Sequence, residues 1–524
     1  MSIRNGGAGD SGILKIVFKI VVFMAMFSPY VGDGCASAET ARPNILLAIS
    51  DDQTWRHTGA YGDEAVNTPA FDRVAREGVL FNYGFCSAPT CSPSRAAILT
   101  GQDFWRLESG GNLFGALPGK YPVYPRLLEV AGYYVGYTGK ARGWNPKLSG
   151  RTNHPAGDAF NSRRLESVPA AGITKTDYAA NFEAFLESRP EGKPFCFWYG
   201  AVEPHRFYEA GSGLRSGKKL EDATVPTFFP DVPQVRGDIL DYYVEIEWFD
   251  RHLARIITLL EERGELDNTM IVVTSDHGMP FPRAKTNLYD YGARVPLAIR
   301  WPVKVAGGRV IDDFVNLTDL APTFLEAAGL EVPSEMTGRS LMKILKSAKQ
   351  GRVDPQRDKV VVGRERHGYN RVPHIGYPCR AIRTYKYLYI RNFKPDRLPG
   401  FDTDGGITRS YMLAERHTTE GQRYFRLWFG PRPAEELYNC RADPDQIRNL
   451  ADDPAYAAIR RKLAAELDAH LRKTGDPRVL GTGDVFDTYT YFGPDRSKKS
   501  GADRPQDSFF HEIRNELRSA KPSP

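Results

Sequence analysis

From Pro43 onward the chain alternates short unbroken apolar runs with longer stretches whose apolar positions recur every three to four residues. The runs at 44–50, 79–85, 133–138, 195–199, 270–274 and 295–301 have the length of strands. Their continuous apolar character suits a sheet covered on both faces. Between them, 69–77 carries Phe71, Val74 and Ala75 on one face and reads as a helix, with Thr68 expected as N-cap and Pro69 in the first turn. The stretches 237–263 and 320–328 read as further helices, each closing near a glycine, Gly264 and Gly329. Strands separated by helices predict an α/β fold, a large, mostly parallel or mixed sheet sandwiched by helices.

Around 346–358 the pattern dissolves into polar residues, which predicts a linker. Beyond it, strand-like runs at 359–363 and 379–392 and a helix at 456–473 predict a smaller C-terminal α+β domain. The expected division is a larger domain at 39–350, the smaller one at 351–496 and a polar tail at 497–524.

Composition narrows the classes. A chain of 524 residues ordinarily holds more than one folding unit. With 41% hydrophobic and 26% charged residues, intrinsic disorder, collagen-like repeats and a multi-span membrane protein are excluded. The net charge of +6 is spread along the chain without the basic stripe of a nucleic-acid binder, and it suits an anionic substrate. At the N-terminus, Arg4, Lys15 and Lys19 precede an apolar run at 20–27, and Ala36-Ser37-Ala38 supplies the small residues of a cleavage site. This predicts a secretory signal peptide at 1–38, with an uncleaved anchor as the alternative. The run is far short of the ~20 residues that span a bilayer, so no stable membrane insertion is expected. Of six cysteines Cys35 falls in this leader, and the odd five that remain require at least one free or modified thiol.

Two of the strands end in charged residues. The first runs into Asp51-Asp52, and 270–274 runs into Asp276-His277. Ligands of such sheets gather at the carboxyl ends of strands. Converging carboxylates repel unless a cation sits among them, and oxygen donors favour Ca²⁺ or Mg²⁺. An Asp-Asp pair alone is more often a solvated loop or cap; the second pair at another strand end reverses that reading. Cys91 opens the string Cys91-Ser92-Pro93-Ser94-Arg95, and 94–100 looks helical, so the thiol lies at or just before a helix N-terminus. Negative charge is favoured there and a thiol pKa falls. Position alone leaves open an activated nucleophile beside an arginine and a structural cysteine in a turn.

Cys91-Ser92-Pro93-Ser94-Arg95, followed by Leu99-Thr100-Gly101, resembles the signature of the type I sulfatases of the alkaline phosphatase superfamily. The segments 43–52, Gly139-Lys140, Pro204-His205 and 274–278 agree in order and spacing, so the resemblance covers nearly the whole mature chain. The run Ser275-Asp276-His277-Gly278-Met279-Pro280-Phe281-Pro282, then Lys285-Thr286-Asn287-Leu288-Tyr289, is similar to the heparan N-sulfatase branch. Glu436-Leu437-Tyr438, Asp443-Pro444 and Asn449-Leu450-Ala451 are similar too, though shared more widely in the family.

The resemblance implies that a formylglycine-generating enzyme oxidises Cys91 to formylglycine, whose hydrate attacks sulfur. It implies one divalent ion, usually calcium with magnesium as the alternative, held by Asp51, Asp52, the modified Cys91, Asp276 and His277. Many relatives carry asparagine where this chain has His277, a softer ligand. By motif match Arg95 should hold the formylglycine, Lys140 should contact it and the sulfate, Lys285 should bind the sulfate, and His205 should protonate the leaving group. Such cations stabilise the charge that shifts as an S–O or S–N bond breaks. Many relatives have a histidine two positions after the motif lysine, whereas this chain has Arg142, which binds anions but does not exchange protons near neutrality. Arg364, Glu365, Arg366 and His367 follow a strand of the smaller domain; they either reach across the cleft to a sugar or form a solvated charged loop.

The expected activity is removal of N-sulfate or O-sulfate from a sulfated glycan, with N-sulfated glucosamine of heparan sulfate first. An O-sulfatase or arylsulfatase on another substrate, a phosphodiesterase or phosphonate hydrolase on the same fold, and a non-catalytic binder of sulfated glycans are the alternatives. The expected location is periplasmic or secreted, or lysosomal in a eukaryote; the single clear sequon, Asn316-Leu317-Thr318, leans towards bacterial export.

Overall fold

The computed structural model describes residues 42–141, 145–368, 375–402 and 404–493. The leader with Cys35, Arg142 and the tail lie outside the described residues. Eight strands form the large sheet: β1 (Asn44–Ser50), β2 (Val79–Phe85), β3 (Tyr134–Gly139), β4 (Asp158–Ala159), β5 (Phe195–Gly200), β6 (Thr269–Ser275), β7 (Leu297–Arg300) and β8 (Arg309–Asn316). Their spatial order is β4-β3-β5-β1-β6-β7-β2-β8. Only β7 runs against its neighbours, and the remaining pairs are parallel. This is the α/β architecture the apolar runs predict.

The unbroken apolar runs have a direct cause. Side chains of a strand alternate between the two faces of the sheet. Ile45, Leu47 and Ile49 of β1 enter one core while Leu46 and Ala48 enter the core on the opposite face. Both sides are covered by helices, so the five central positions of β1 are all apolar and its polar residues, Asn44 and Ser50, stand at its two ends. Each fully buried leucine or isoleucine contributes roughly 1.5–3 kcal/mol.

The smaller sheet is antiparallel, with β9 (Lys359–Arg364), β10 (Cys379–Thr384), β11 (Tyr387–Asn392) and β12 (Glu435–Asn439) in the order β12-β11-β10-β9. Its apolar face, including Val360, Ile382 and Leu388, joins the same core as Ile45 and Leu47. The helix Ala457–Lys473 adds Leu463, Leu467 and Leu471 to that core.

Several expectations are corrected. The run 379–392 is a hairpin, because Tyr385 and Lys386 turn the chain without glycine or proline to mark it. β8 carries Arg309, Asp312 and Asp313, which mask its alternating pattern, and it escaped the sequence reading. The helix expected over 237–263 begins at Pro233 and runs 30 residues to Glu262. Thr68 occupies the N-cap position of the Pro69–Glu77 helix, but its hydroxyl makes no capping bond. The Asp250 carboxylate does so instead, accepting from the amides of Ala70 (2.9 Å) and Phe71 (2.8 Å).

Candidate active site

β1 and β6 lie side by side in register, with Ser50 opposite Ser275. Asp51-Asp52 and Asp276-His277 therefore leave the sheet at adjacent points. Asp52 takes a positive φ of 74°, a conformation aspartate tolerates better than most residues. It turns the chain so that two successive carboxylates approach one cluster rather than opposite faces. The Tyr242 hydroxyl secures the turn, donating to the Asp52 carbonyl (3.1 Å) and accepting from the Thr54 amide (3.2 Å).

Cys91 is the first residue of a fully buried helix, Cys91–Thr100, which starts one turn earlier than its apolar pattern predicts. Pro93 is tolerated because amides of the first turn have no partner within the helix. The helix aims the Cys91 sulfur at the strand ends: His277 Nε2 lies 3.4 Å from Sγ, 3.1 Å from Asp52 Oδ1 and 3.8 Å from Asp276 Oδ1. Donor atoms of Asp51, Asp52, Cys91 and His277 all fall within 4.8 Å of one another. Asp52 Oδ1 is buried and makes no hydrogen bond. A desolvated carboxylate oxygen that makes no hydrogen bond, even with the His277 ring nitrogen 3.1 Å away, fits a divalent cation in this set of carboxylates and one imidazole.

The cations surround this group. Arg95, one turn along the helix from Cys91, donates to Asp276 Oδ2 (2.8 Å) and Asp51 Oδ1 (3.4 Å), and also to the Lys140 carbonyl. Lys140 Nζ donates to Asp51 and lies 3.4 Å from Cys91 Sγ. Its place depends on Gly139, whose φ is +75° and where a Cβ would stand 2.1 Å from the Gly200 carbonyl oxygen. Lys285 Nζ donates to Asp52 Oδ2 and to Asp404 Oδ2, each at 2.7 Å. His205 Nε2 is 3.9 Å from Asp52 Oδ2, and its Nδ1–H donates to the Arg206 carbonyl (2.7 Å).

The electrostatics follow from this packing. Burial pushes Asp51 up, but Lys140 and Arg95 outweigh it and hold the carboxyl well below its usual range. Burial pushes His277 down, while Asp276 and Asp52 lift it to about 9, the effect of the same negative potential that attracts a metal ion. Burial would lower Lys285, yet Asp404 and Asp52 hold it well above the ordinary lysine value. His205 is lowered by burial and by Lys285, against the pull of Asp52.

All nine side chains singled out from the sequence thus meet at the carboxyl end of the large sheet. Two features were missed. Asp404 reaches Lys285 from a glycine-rich segment that reads as a turn. Arg206 forms a buried two-pronged pair with Asp238, both contacts 2.7 Å, which anchors the His205 segment to the long helix. The run 364–367 is no solvated loop: all four residues are buried. Arg364 donates to Asp402 (2.6 Å), Glu365 pairs with Arg380 and Arg478, and His367 meets the Thr90 hydroxyl (2.6 Å) just ahead of Cys91. The five described cysteines are all free and buried.

The carboxyl edge of the large sheet thus carries a cysteine within one cluster of carboxylates and cations. The sulfatase family model matches residues 43–330, more than half of the sequence, and the chain belongs to that family, whose members generally use a metal ion and a formylglycine. A second family model, "N-sulphoglucosamine sulphohydrolase, C-terminal", matches residues 280–401. Among curated relatives, the human N-sulphoglucosamine sulphohydrolase is 29% identical over 492 residues, 85% of this chain and 93% of its own. An ulvan-active sulfatase of Formosa agariphila is 28% identical over 466 residues, 84% of this chain and 82% of its own. A solved structure of a protein with its substrate D-glucosamine-2-N,6-O-disulfate shares the fold at a TM-score of 0.62 and 22% identity, covering 83% of this chain and 98% of that one.

Proposed function

We propose that this protein is an exported sulfamidase that removes the N-sulfate of glucosamine in a heparan-type glycan. The observation that carries the reading is the clustering of Cys91 with the donors Asp51, Asp52 and His277, with Asp276 beside them and the cations Arg95, Lys140, Lys285 and His205 around them. The preference for nitrogen rests on the match of 280–401, which includes Lys285 and Arg364–His367, to the C-terminal part of N-sulphoglucosamine sulphohydrolases. The apolar leader at 1–38 supports export, and among the described residues no helix is long and apolar enough to cross a membrane.

Asp51, Asp52, Asp276 and His277 would hold a divalent ion, calcium by the family resemblance, which when bound would lower the pKa of a formylglycine hydrate hydroxyl made from Cys91 and offset the charge on the sulfate oxygens. Arg95, hydrogen-bonded to Asp276 and Asp51, holds those carboxylates in position. Lys140 and Lys285 exchange part of their pairing with Asp51 and Asp52 for the anionic sulfate oxygens. As the S–N bond breaks, its electron pair goes to nitrogen, and His205 delivers a proton there from Nε2. Burial and Lys285 lower the His205 pKa, which makes its imidazolium a stronger acid.

The test is desulfation of N-sulfated and 6-O-sulfated glucosamine disaccharides, with released sulfate measured for each. Release from the N-sulfated compound is expected, and release from the 6-O-sulfated compound alone replaces the sulfamidase by an O-sulfatase. Mass spectrometry of the Cys91 peptide, after co-expression with a formylglycine-generating enzyme, is expected to show a loss of about eighteen mass units. An intact thiol with no sulfate release from either compound favours a sulfated-glycan binder.

A further inference from the structure

Phe207 stands two residues from His205 and is 70% exposed, the one aromatic ring among the exposed large apolar side chains of the described residues. An exposed phenylalanine is unremarkable on a flexible loop, but this segment is pinned. Glu203 accepts from the Thr174 amide (2.7 Å) and the Tyr178 hydroxyl (2.8 Å). Arg206 is locked by Asp238 and donates to the Pro280 carbonyl (2.9 Å), with its guanidinium over the rings of Phe281 and Tyr208. The Phe207 ring leans on Gly405, where a Cβ would lie 3.0 Å from Cε1, so a side chain at 405 would crowd it. Next to that contact, Asp404 holds Lys285 at 2.7 Å. Burial pushes the Asp404 carboxyl up, but Lys285, His205 and His367 hold it below its usual range, so it is an acceptor at neutral pH.

We propose that Phe207 and Asp404 form the subsite for the pyranose ring that bears the scissile sulfate, the aromatic ring stacking on the sugar's apolar C–H face and the carboxylate accepting from its hydroxyl or amino hydrogens. This rests on the sulfated-glycan reading above. Asp404 and His205 offer atoms within 4.8 Å of each other and Phe207 follows His205 by two residues, so a sugar on this platform would present its leaving atom to the imidazole. A rigid ring that is already wet in the free protein loses little conformational entropy on binding. When a sulfate engages Lys285, part of the Asp404 pairing is released, and a sugar N–H or O–H takes its place. Stacking of this kind carries up to about 1.4 kcal/mol beyond area burial, a tenfold effect.

Calorimetry on the full chain carrying Cys91→Ala measures binding without turnover and without the modified residue. The ligands are N-sulfated, 6-O-sulfated and unsulfated glucosamine disaccharides, with inorganic sulfate as reference. Adding Phe207→Ala is expected to weaken the sulfated disaccharides roughly tenfold, far more than inorganic sulfate, and Phe207→Trp should restore affinity to within about threefold. Asp404→Asn should likewise weaken the disaccharides more than sulfate. Disaccharide affinity unchanged by Phe207→Ala, or no disaccharide binding by the parent, overturns the subsite. Failure of the sulfamidase reading looks different: the unmutated enzyme then releases 6-O-sulfate only, while Phe207→Ala still weakens the 6-O-sulfated ligand.

Discussion

Asp238→Ala removes the carboxylate at the centre of a buried knot. In the native protein its oxygens accept two guanidinium hydrogens of Arg206 at 2.7 Å, the Thr408 hydroxyl at 2.6 Å and the Thr408 amide at 3.0 Å. Both partners of the ion pair are essentially inaccessible to water. Deleting one leaves a charged guanidinium without compensation, which costs about 3–5 kcal/mol. Against a total stability of roughly 5–15 kcal/mol this weakens the fold without abolishing it. Replacing both partners, Asp238→Ala with Arg206→Met, takes away the stranded charge and should recover much of the loss. The assay is urea unfolding followed by tryptophan fluorescence, with midpoint and slope compared for the two single variants and the double. The reasoning predicts a non-additive cycle with a coupling of about 2 kcal/mol or more. Strictly additive losses, or an unshifted midpoint for Asp238→Ala, would refute it. Because Arg206 follows His205 and Thr408 belongs to the Asp404 segment, the same single variant should depress kcat/KM.

Two further outcomes follow from the same geometry. Dialysis against a chelator should abolish sulfate release and calcium should restore it; full activity at a metal content of zero by elemental analysis would remove the ion from the site. His252 is buried edge-on against Tyr178 and Trp248, and burial, with Arg255, lowers its pKa to about 4. The unfolded chain binds that proton near pH 6.5, so the stability from a neutral His252 is complete above 6.5 and is lost as pH falls towards 4, by roughly 3 kcal/mol in all. Urea midpoints for His252→Phe at pH 7.5 and 4.5 should differ less than those of the parent, and an equal difference would show that this imidazole does not set the slope.

What could be read without coordinates divides along a physical line. β1, β2 and the Pro69–Glu77 helix have the bounds predicted for them: β1 is buried along its whole length, β2 along most of it, and the helix shows one clear apolar face, Phe71, Val74 and Ala75, behind Pro69. Asp51, Asp52, Asp276 and His277 were legible because they follow strand ends, and Cys91 because it opens a helix; Arg95, Lys140, His205 and Lys285 came from the motif match alone. Asp404 was not legible. It lies far along the chain from Lys285, and a Thr-Asp-Gly-Gly stretch looks like any surface turn. The Asp250 cap was hidden for the same reason, since the donor amides belong to a helix about 180 residues away and local sequence offered Thr68 instead. Burial of Arg364, Glu365, Arg366 and His367 was equally invisible, because their partners, Asp402, Arg380 and Arg478, come from three separate segments.

The in-register pairing of β1 with β6 has a consequence for how this chain tolerates change in length. Parallel neighbours with Asn44 opposite Thr269 and Ser50 opposite Ser275 work as a gauge that sets how far each acidic tip protrudes. Losing one residue inside either strand would swap its two faces and draw one tip back by about 3.3 Å. Extra residues in the excursions that join the strands leave the gauge untouched, so insertions are free to reshape the rim of the cleft while the reacting centre keeps its dimensions.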